Sequence, residues 1–276
     1  MLNEKMDLID IEVQLFLEGI YLRYGYDFRN YSRAHIKRRV TNRLGLAGLD
    51  NLSELQHLVL TDETYFKSIL KDFSINVTEM FRDPEFFEFL RNDVIPVLKS
   101  YPKINIWHAG CSTGEEVYSM AILLKEEGLY DRCQIYATDF NVDVLNEAKE
   151  GIYPLEVIKD YTSNFIRAGG KESFSEYYIA KYDSIILNQS LKSNIIFAEH
   201  NLVTDQVFNQ MHLIICRNVL IYFNNELQTK VFELFSNSLR PRGFMCLGTK
   251  ESIKGNDISN AFETYESNLK VYRKAR

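Results

Sequence analysis

The sequence lacks any apolar run long enough to cross a membrane, since none approaches the roughly 18 consecutive apolar residues that such a helix needs. Its amino-terminal stretch, MLNEKMDLID, is acidic, whereas a secretory signal peptide begins basic and continues apolar. We therefore expect a soluble, cytoplasmic protein with no membrane insertion. The 276 residues are 46% hydrophobic, which is enough for one large core and a smaller second one.

Cysteine is also scarce. The four cysteines, Cys111, Cys133, Cys216 and Cys246, are widely spaced, form no CxxC pair and lie in or beside apolar runs. This pattern argues against a disulfide framework and against a zinc site, so we expect reduced, mostly buried thiols and no metal. The alternative is a nucleophilic Cys111, although no histidine is obviously dedicated to activating it.

With only 13 glycines and 5 prolines, the chain has no long flexible linker, and we find no internal repeat. A change of pattern near residue 75 predicts a helical amino-terminal domain, 1–75, and a second domain, 76–276. In the first domain apolar residues recur at helical spacing, with Asp50 and Asn51 as capping candidates. The helices predicted there are Leu8–Tyr24, Tyr31–Leu46, Leu52–Leu60 and Glu63–Phe73.

In the second domain short β-rich runs alternate with amphipathic helices, which is typical of an α/β fold with helices on both faces of a parallel sheet. We expect a turn at Gly243 and a small β subdomain at about residues 174–194. The predicted helices begin after Glu115, after Val142 and at Asn225. The predicted strands are Ile104–His108, Gln134–Thr138, Ile195–Ala198, His212–Cys216, Gly243–Leu247 and Leu269–Tyr272.

The net charge of −6 is unevenly distributed. Between Arg23 and Leu49 seven basic residues occur with one acid, Asp27, so this segment carries +6 and the remainder carries −12. The balance disfavours general nucleic-acid binding and favours one local basic face directed at an acidic partner. The alternative is an ordinary solvated helix face.

An apolar run, IWHAG, leads into the turn Gly110–Gly114, and a helix begins at Glu115. In a doubly wound sheet this turn lies where ligands bind, and glycine allows close approach. The turn is not GxGxxG, and Glu115 and Glu116 in the first helical turn would repel a pyrophosphate. They suit a cationic or neutral ligand such as S-adenosylmethionine, which carries a sulfonium, an ammonium and no phosphate.

Further polar residues follow the later predicted strands. Asp139 lies about 25 residues after the glycine turn, close to the spacing of an acid that binds ribose hydroxyls. A structural capping role for Asp139 is the alternative. The segments 199–202 and 217–223 follow two more strands and should face the same crevice, although for Tyr222 composition alone favours packing in the core.

Five motifs now stand in a recognisable order. They are NVTEMFRDP (76–84), GCSTGEE (110–116), TD (138–139), HNL (200–202) and CRNVLIYF (216–223). With the basic segment YSRAHIKRR, they closely resemble the CheR family of chemotaxis receptor methyltransferases over nearly the whole chain. The resemblance implies a Rossmann-like S-adenosylmethionine-dependent methyltransferase domain, a small all-α amino-terminal domain and a small antiparallel β insertion.

The resemblance also implies roles for individual residues. Arg82 and Tyr222 would act near the transferred methyl group, which would pass from S-adenosylmethionine, leaving S-adenosylhomocysteine, to receptor glutamates. The implied cofactor-binding residues are Asn76, Thr78, Arg82, Gly110, Glu116, Asp139, Asn201, Leu202, Arg217 and Asn218. The basic helix would bind the cytoplasmic helical bundle of the receptor through Arg33, Lys37, Arg38, Arg39 and Arg43.

Two alternatives stay open beside glutamate methylation. One is a methyltransferase of the same architecture that acts on another signalling protein, and the other is a non-catalytic adaptor that binds S-adenosylmethionine or its product. A nucleic-acid methyltransferase is disfavoured, because the chain is acidic and has no NPPY-type motif. In some family members the β insertion binds a receptor peptide, but the insertion here departs from that form.

Overall fold

The computed structural model describes residues 7–73, 78–207, 209–255 and 257–275. These residues form two compact units. A helical unit comprises the described residues up to 73 together with 221–230, and a larger α/β unit comprises the described residues of 78–220 and 231–275. None of the helices in these ranges combines the length and the apolar character needed to cross a membrane.

The helical unit contains α1 (Leu8–Tyr24), α2 (Arg33–Ala47), α3 (Leu52–Thr61) and α4 (Glu63–Phe73). The predicted bounds of α1 and α4 are confirmed, and those of α2 and α3 differ by one or two residues. Local chemistry explains the ends: Asn51 Oδ1 accepts a hydrogen bond from Glu54 N at 3.1 Å to begin α3, and α1 ends at Gly25 with a φ of 79°.

The core of the helical unit is apolar and rich in aromatic rings. Phe28 and Phe73 meet edge to face at 5.1 Å, and Tyr24 stacks on Phe66 at 3.8 Å. These ring contacts join the end of α1 and the loop that follows it to α4. The helices contribute the buried side chains Val13, Phe16, Ile20, Ile36, Val40, Leu55, Val59 and Ile69.

The rest of the chain alternates helices and strands. Its helices are α5 (Pro84–Phe89), α6 (Ile95–Leu98), α7 (Glu115–Glu126), α8 (Val142–Glu150), α9 (Ile158–Arg167) and α10 (Asn225–Ser238). Its strands are β1 (Ile104–Ala109), β2 (Cys133–Asp139), β3 (Ile152–Pro154), β4 (Tyr178–Lys181), β5 (Ser184–Leu187), β6 (Ile195–Glu199), β7 (Met211–Cys216), β8 (Leu239–Leu247), β9 (Phe262–Glu266) and β10 (Val271–Lys274).

Within the described residues the large sheet has the order β6-β2-β1-β7-β8-β10-β9. The first five strands are parallel, and β10 pairs antiparallel with both β8 and β9. From β1 the chain adds β2 and then β6 on one side, and it then crosses to the other side of β1 to add β7 and β8. The strand order therefore reverses between β1 and β7, and a ligand crevice is expected at their carboxyl ends.

The Rossmann-like α/β architecture and the small antiparallel sheet are confirmed, and three details of the prediction change. The small sheet has the order β3-β5-β4, so one strand comes from outside residues 174–194. The strand predicted to begin after a turn at Gly243 instead begins at Leu239. Its pairing with β7 shifts register between Met211 and Leu213, and the residues predicted as a turn lie in this irregular part of β8. Both α9 and the largely exposed edge strand β9 were missed.

A buried charge cluster joins the π-helical turn Leu90–Val94 to the end of α7. Arg91 donates to Glu126 at 2.6 Å and to Glu127 at 2.8 Å, and all three side chains are almost fully buried. Burial raises the pKa of Glu127, but hydrogen bonds from Lys171, Arg91 and Lys99 outweigh it and lower the pKa to about 2. Arg91 therefore pairs with both carboxylates, and Lys99 and Lys171 pair with Glu127 as well.

We expect Arg91→Met to destabilise the protein by about 3 kcal/mol, because it removes the arginine that pairs with Glu126 and one of the three cations that pair with Glu127 in a buried site. Urea unfolding at pH 7 measures the loss. Arg167→Met is the matched control: Arg167 also pairs with a glutamate, Glu85, but both side chains are more than half exposed, so the cost should stay below about 1 kcal/mol. Equal costs for the two variants would contradict this account of the cluster.

Candidate functional site

The glycine turn after β1 is held against the neighbouring strand. The N–H groups of Gly110 and Cys111 both donate to Thr138 O, at 2.8 and 2.9 Å. Gly110 has a φ of 80°, and a Cβ on it would lie 2.5 Å from Val219 Cγ2. The close approach that requires glycine is therefore made by the loop after β7, which brings two of the sequence motifs together.

Asp139, at the end of β2, links the loops after β1 and β2. Its Oδ2 accepts from Ser112 N and its Oδ1 accepts from Asn141 N, each at 3.0 Å. Burial raises the pKa of Asp139, although these backbone hydrogen bonds act in the opposite direction. These hydrogen bonds give Asp139 a structural role in the two loops, although the residue that caps α8 is Asn141. Each Asp139 oxygen keeps capacity for a further donor.

Ser112 provides a polar group that points to a ligand. Its Oγ atom is buried and has no hydrogen-bond partner among the described residues. Buried hydroxyls are almost always hydrogen bonded. An unsatisfied hydroxyl in the glycine turn therefore fits a bound molecule with polar atoms.

The two glutamates that begin α7 have different environments. Glu115 is buried, its Oε2 accepts from Thr113 Oγ1 at 2.7 Å, and its Oε1 accepts from Tyr161 of α9 at 3.4 Å. Burial raises its pKa, so the charged form of Glu115 is disfavoured. Glu115 thus serves the internal structure of the turn.

Glu116 carries the charge at this edge of the sheet. Its Oε1 lies 3.3 Å from His108 Nδ1, and its Oε2 accepts from Arg217 Nη1 at 2.9 Å. Burial raises the pKa of Glu116, but the hydrogen bond with His108 and the charge of Arg217 outweigh burial, so its pKa lies below the usual range. Glu116 is therefore ionised at neutral pH.

Arg217 connects three segments of the site. Its side chain is only 2% exposed, and besides Glu116 it pairs with Asp83 and donates to Arg82 O at 3.3 Å. Its guanidinium also lies 4.2 Å from the centre of the Phe86 ring. Arg217 therefore holds the 82–86 segment beside α7 and the end of β7.

Several non-glycine residues around this edge have a left-handed backbone. Phe81, Asp83, Ser112 and Asn218 have φ values of 53°, 55°, 51° and 63°. Such conformations cost energy and concentrate at functional sites. They occur here in three of the motif segments, which supports a site at the carboxyl ends of β1 and β7.

Sequence analysis missed Glu251, which anchors the loop after β7. This carboxylate is 5% exposed and accepts three backbone hydrogen bonds: from Gly248 at 2.6 Å, Leu220 at 2.7 Å and Asn218 at 3.1 Å. It stabilises the loop that carries Arg217. An acid just after the buried strand β8 was the available signal.

The remaining predicted cofactor residues are partly exposed. Thr78 and Arg82 lie before α5, and Asn201 and Leu202 follow β6. Asn201 Oδ1 accepts from Val203 N at 3.0 Å, so its side chain shapes its own turn. Asn76 lies outside the described residues.

Tyr222 is half-buried, and Ser32, the residue just before α2, donates through its N–H to Tyr222 O at 2.7 Å. This is not the fully buried position that simple core packing would give.

The basic residues of α2 divide into three kinds. Arg33 and Arg38 are exposed. Lys37 pairs with Asp10 at 2.5 Å and Arg43 with Asp72 at 2.7 Å, and both are partly exposed. Arg39 is buried and binds carbonyl oxygens of α4. The exposed positive charge of α2 is therefore carried by Arg33, Arg38, Lys37 and Arg43, and not by Arg39.

The four cysteines are free and buried, as expected. Burial raises the pKa of the Cys111 thiol well above its usual range, which disfavours the thiolate that a nucleophile requires. Among the described residues no cluster of three or more His, Cys, Asp or Glu side chains could hold a metal ion.

Comparison with known proteins matches two family models to this chain. Residues 76–271 match the model described as CheR methyltransferase, SAM binding domain, and residues 11–74 match the CheR methyltransferase all-alpha domain. A Pseudomonas putida protein named as a methyltransferase, Cher3, is 50% identical over 266 residues, covering 96% of this chain and 97% of the relative. Proteins named chemotaxis protein methyltransferase are 29% identical in Borreliella burgdorferi, covering 92% of both chains, and 26% identical in Escherichia coli, covering 91% and 87%.

We expect Gly110→Ala to destabilise the protein by about 3 kcal/mol, because the methyl group adds a clash with Val219 to the cost of a left-handed alanine. Gly128→Ala is the control, since Gly128 has a φ of 68° but nothing within 4 Å of a Cβ, and about 1 kcal/mol is expected. Thermal unfolding measures both. Similar losses would mean that the close approach is not what requires glycine at position 110.

We expect Glu251→Gln to destabilise the protein by about 2–4 kcal/mol and to weaken S-adenosylhomocysteine binding about tenfold, because an amide NH₂ replaces an oxygen that accepts backbone N–H groups. Calorimetric unfolding and titration measure the two effects. Glu263→Gln on the exposed face of β9 should change neither. Unchanged stability and affinity in Glu251→Gln would remove the anchoring role.

Proposed function

The chain belongs to the CheR methyltransferase family, and we propose that it transfers a methyl group from S-adenosylmethionine to glutamate side chains of methyl-accepting chemotaxis receptors. The products would be glutamate methyl esters and S-adenosylhomocysteine. The observation that carries the proposal is the Glu116 carboxylate at the start of α7, which pairs with Arg217 at 2.9 Å beside a glycine turn with an unsatisfied buried hydroxyl. The names of the relatives support receptors as substrates.

The donor set fits S-adenosylmethionine better than a phosphate-bearing cofactor. Glu116 presents a carboxylate where a pyrophosphate would need a positive helix terminus. It suits the ammonium or sulfonium of S-adenosylmethionine, and the spare acceptor capacity of Asp139 suits ribose hydroxyls. We assign the rest of the pocket to Asn76, Thr78, Arg82, Gly110, Asn201, Leu202, Arg217 and Asn218, with no metal.

When bound, S-adenosylmethionine supplies a methyl group on a positively charged sulfur. A glutamate side chain has a pKa of about 4.3, so at neutral pH it is already an anionic nucleophile and needs no general base. The protein's task is then orientation. We assign Arg82 to hold the substrate carboxylate and Tyr222 to donate a hydrogen bond to one of its oxygens, leaving the other oxygen to attack.

Recognition of the receptor is assigned to the helical domain, 1–75, and methyl transfer to 76–276. The partner is the acidic cytoplasmic helical bundle of the receptor, which implies a cytoplasmic location. The exposed Arg33 and Arg38 would contact it directly. Lys37 and Arg43 would leave their ion pairs with Asp10 and Asp72 and pair with acidic residues of the partner. Charge pairs at the rim of an interface mainly steer association.

The test is transfer of labelled methyl from S-adenosylmethionine to purified cytoplasmic receptor fragments, with the label released by mild base, as a carboxyl methyl ester should be. Arg82→Ala should lower turnover about 100-fold through lost orientation. Tyr222→Phe should lower it about tenfold at saturating receptor, through one lost hydrogen bond to a charged group. Arg167→Ala, which removes an exposed arginine outside the site, is the control.

Each negative outcome has a separate meaning. Full turnover by Tyr222→Phe would make the tyrosine role wrong. Cofactor binding without transfer to any receptor fragment would favour another protein substrate or the non-catalytic adaptor. Base-stable label would show that the acceptor is not a carboxylate.

A further inference from the structure

The segment that carries Tyr222 is joined to the start of α2 by contacts on consecutive residues. Tyr222 O accepts from Ser32 N at 2.7 Å, and Asn224 N donates to Asn30 O at 2.9 Å. Between them, Tyr31 and Phe223 form a β-bridge and pack their rings at 4.9 Å. The backbone on both sides of the Tyr222 side chain is therefore determined by the helical unit.

The Tyr222 ring itself contacts two side chains of α2. The His35 ring meets it edge to face at 5.3 Å, and the Arg39 guanidinium lies 5.2 Å from its centre. His35 and Arg39 are four residues apart on one helix, so both reach the same side. The ring is thus bounded by an aromatic edge and a cation.

Hydrogen bonds to the end of α4 fix the position of the Arg39 guanidinium. Its Nη1 donates to Asp72 O at 2.7 Å and also to Phe73 O, the carbonyl groups that end α4. A helix carboxyl terminus carries partial negative charge, which favours a cation there. Arg39 Nη2 is buried and has no hydrogen-bond partner among the described residues, so the aromatic ring is its nearby electron-rich group.

We infer that Arg39 is a positioning residue for the methyl-transfer reaction: bound to the end of α4, it holds the Tyr222 ring so that the phenol is aimed at the substrate carboxylate. This inference rests on the proposed function, which gives Tyr222 its role at the carboxylate. It separates Arg39 from its exposed neighbour Arg38, which belongs to the partner-binding set. α2 therefore has a buried face that supports the reaction and an exposed face for the partner.

The planar guanidinium explains why this position requires arginine, since its Nη1 atom donates to both carbonyl groups that end α4. A guanidinium can donate in its plane to the two carbonyl groups and present its flat face or edge to a ring at the same time. Lysine would keep the charge but has no planar group. Arg39→Lys should therefore destabilise the protein less than Arg39→Met does. It should still leave the Tyr222 ring displaced from its wild-type position.

The experiment measures kcat, receptor KM and S-adenosylhomocysteine affinity for Arg39→Met and Arg39→Lys, each in the wild-type and Tyr222→Phe backgrounds. We expect Arg39→Met to lower kcat by up to about tenfold, because a residue that acts only through the Tyr222 phenol cannot cost more than Tyr222→Phe does. KM and product affinity should change less than about twofold. In the Tyr222→Phe background Arg39→Met should cost little more, because both changes remove the same contribution.

A spectroscopic measurement reports the position of the ring without activity. In protein labelled with 3-fluorotyrosine, the ¹⁹F resonance of Tyr222 is assigned by its loss in Tyr222→Phe. Arg39→Met should shift or broaden that resonance while leaving most of the other 16 tyrosines unchanged. If Arg39→Met does not fold, Arg39→Lys provides the same comparison.

Failure of the inference and failure of the proposed function look different. Equal loss of kcat from Arg39→Met in both backgrounds would make Arg39 merely structural, and an effect on KM alone would make it a partner contact. An unmoved Tyr222 resonance would also overturn the positioning role. Wild-type turnover by Tyr222→Phe, or no transfer by the unmodified protein, would instead remove the catalytic premise whatever the resonance does.

Discussion

One buried cation, the guanidinium of Arg217, is the interaction on which the candidate site depends. It is almost fully excluded from water, so it must be compensated by carboxylates: Glu116 pairs with its Nη1 atom and Asp83 with its Nη2 atom. Together with the hydrogen bond from His108, the charge of Arg217 lowers the pKa of Glu116 against the effect of burial. Two carboxylates thus surround one guanidinium, and the excess negative charge suits a cationic ligand.

The loops around that ion pair are built from costly conformations. Ser112 and Asn218 have left-handed backbones, and Gly110 admits no side chain because Val219 lies against it. Such segments persist only where other contacts over-determine them. Glu251 is one such contact, since three backbone N–H groups converge on its carboxylate. The charge of the site and the shape of its loops are therefore stabilised by different acids.

The chain that leaves this edge of the sheet soon enters a different environment. Leu220 is bound through Glu251 in the α/β unit, whereas Tyr222 is bordered by His35 and Arg39 of α2. A tyrosine encoded in the methyltransferase motif is thus positioned by the helical domain. Under the proposed function, the helical domain contributes to orientation of the substrate as well as to recognition of the partner.

The sequence by itself determined the features that short-range chemistry decides. Helical periodicity predicted α1 and α4, a capping candidate at Asn51 predicted the start of α3, apolar runs predicted most strands of the parallel sheet, and the ordered motifs identified the family. Tertiary structure alone decided that Glu115 is internal while Glu116 carries the charge, that Glu251 anchors a loop, and that Arg39 is buried rather than exposed. These outcomes depend on contacts between residues far apart along the chain, so the pKa and exposure of each side chain follow from neighbours that no local pattern reveals.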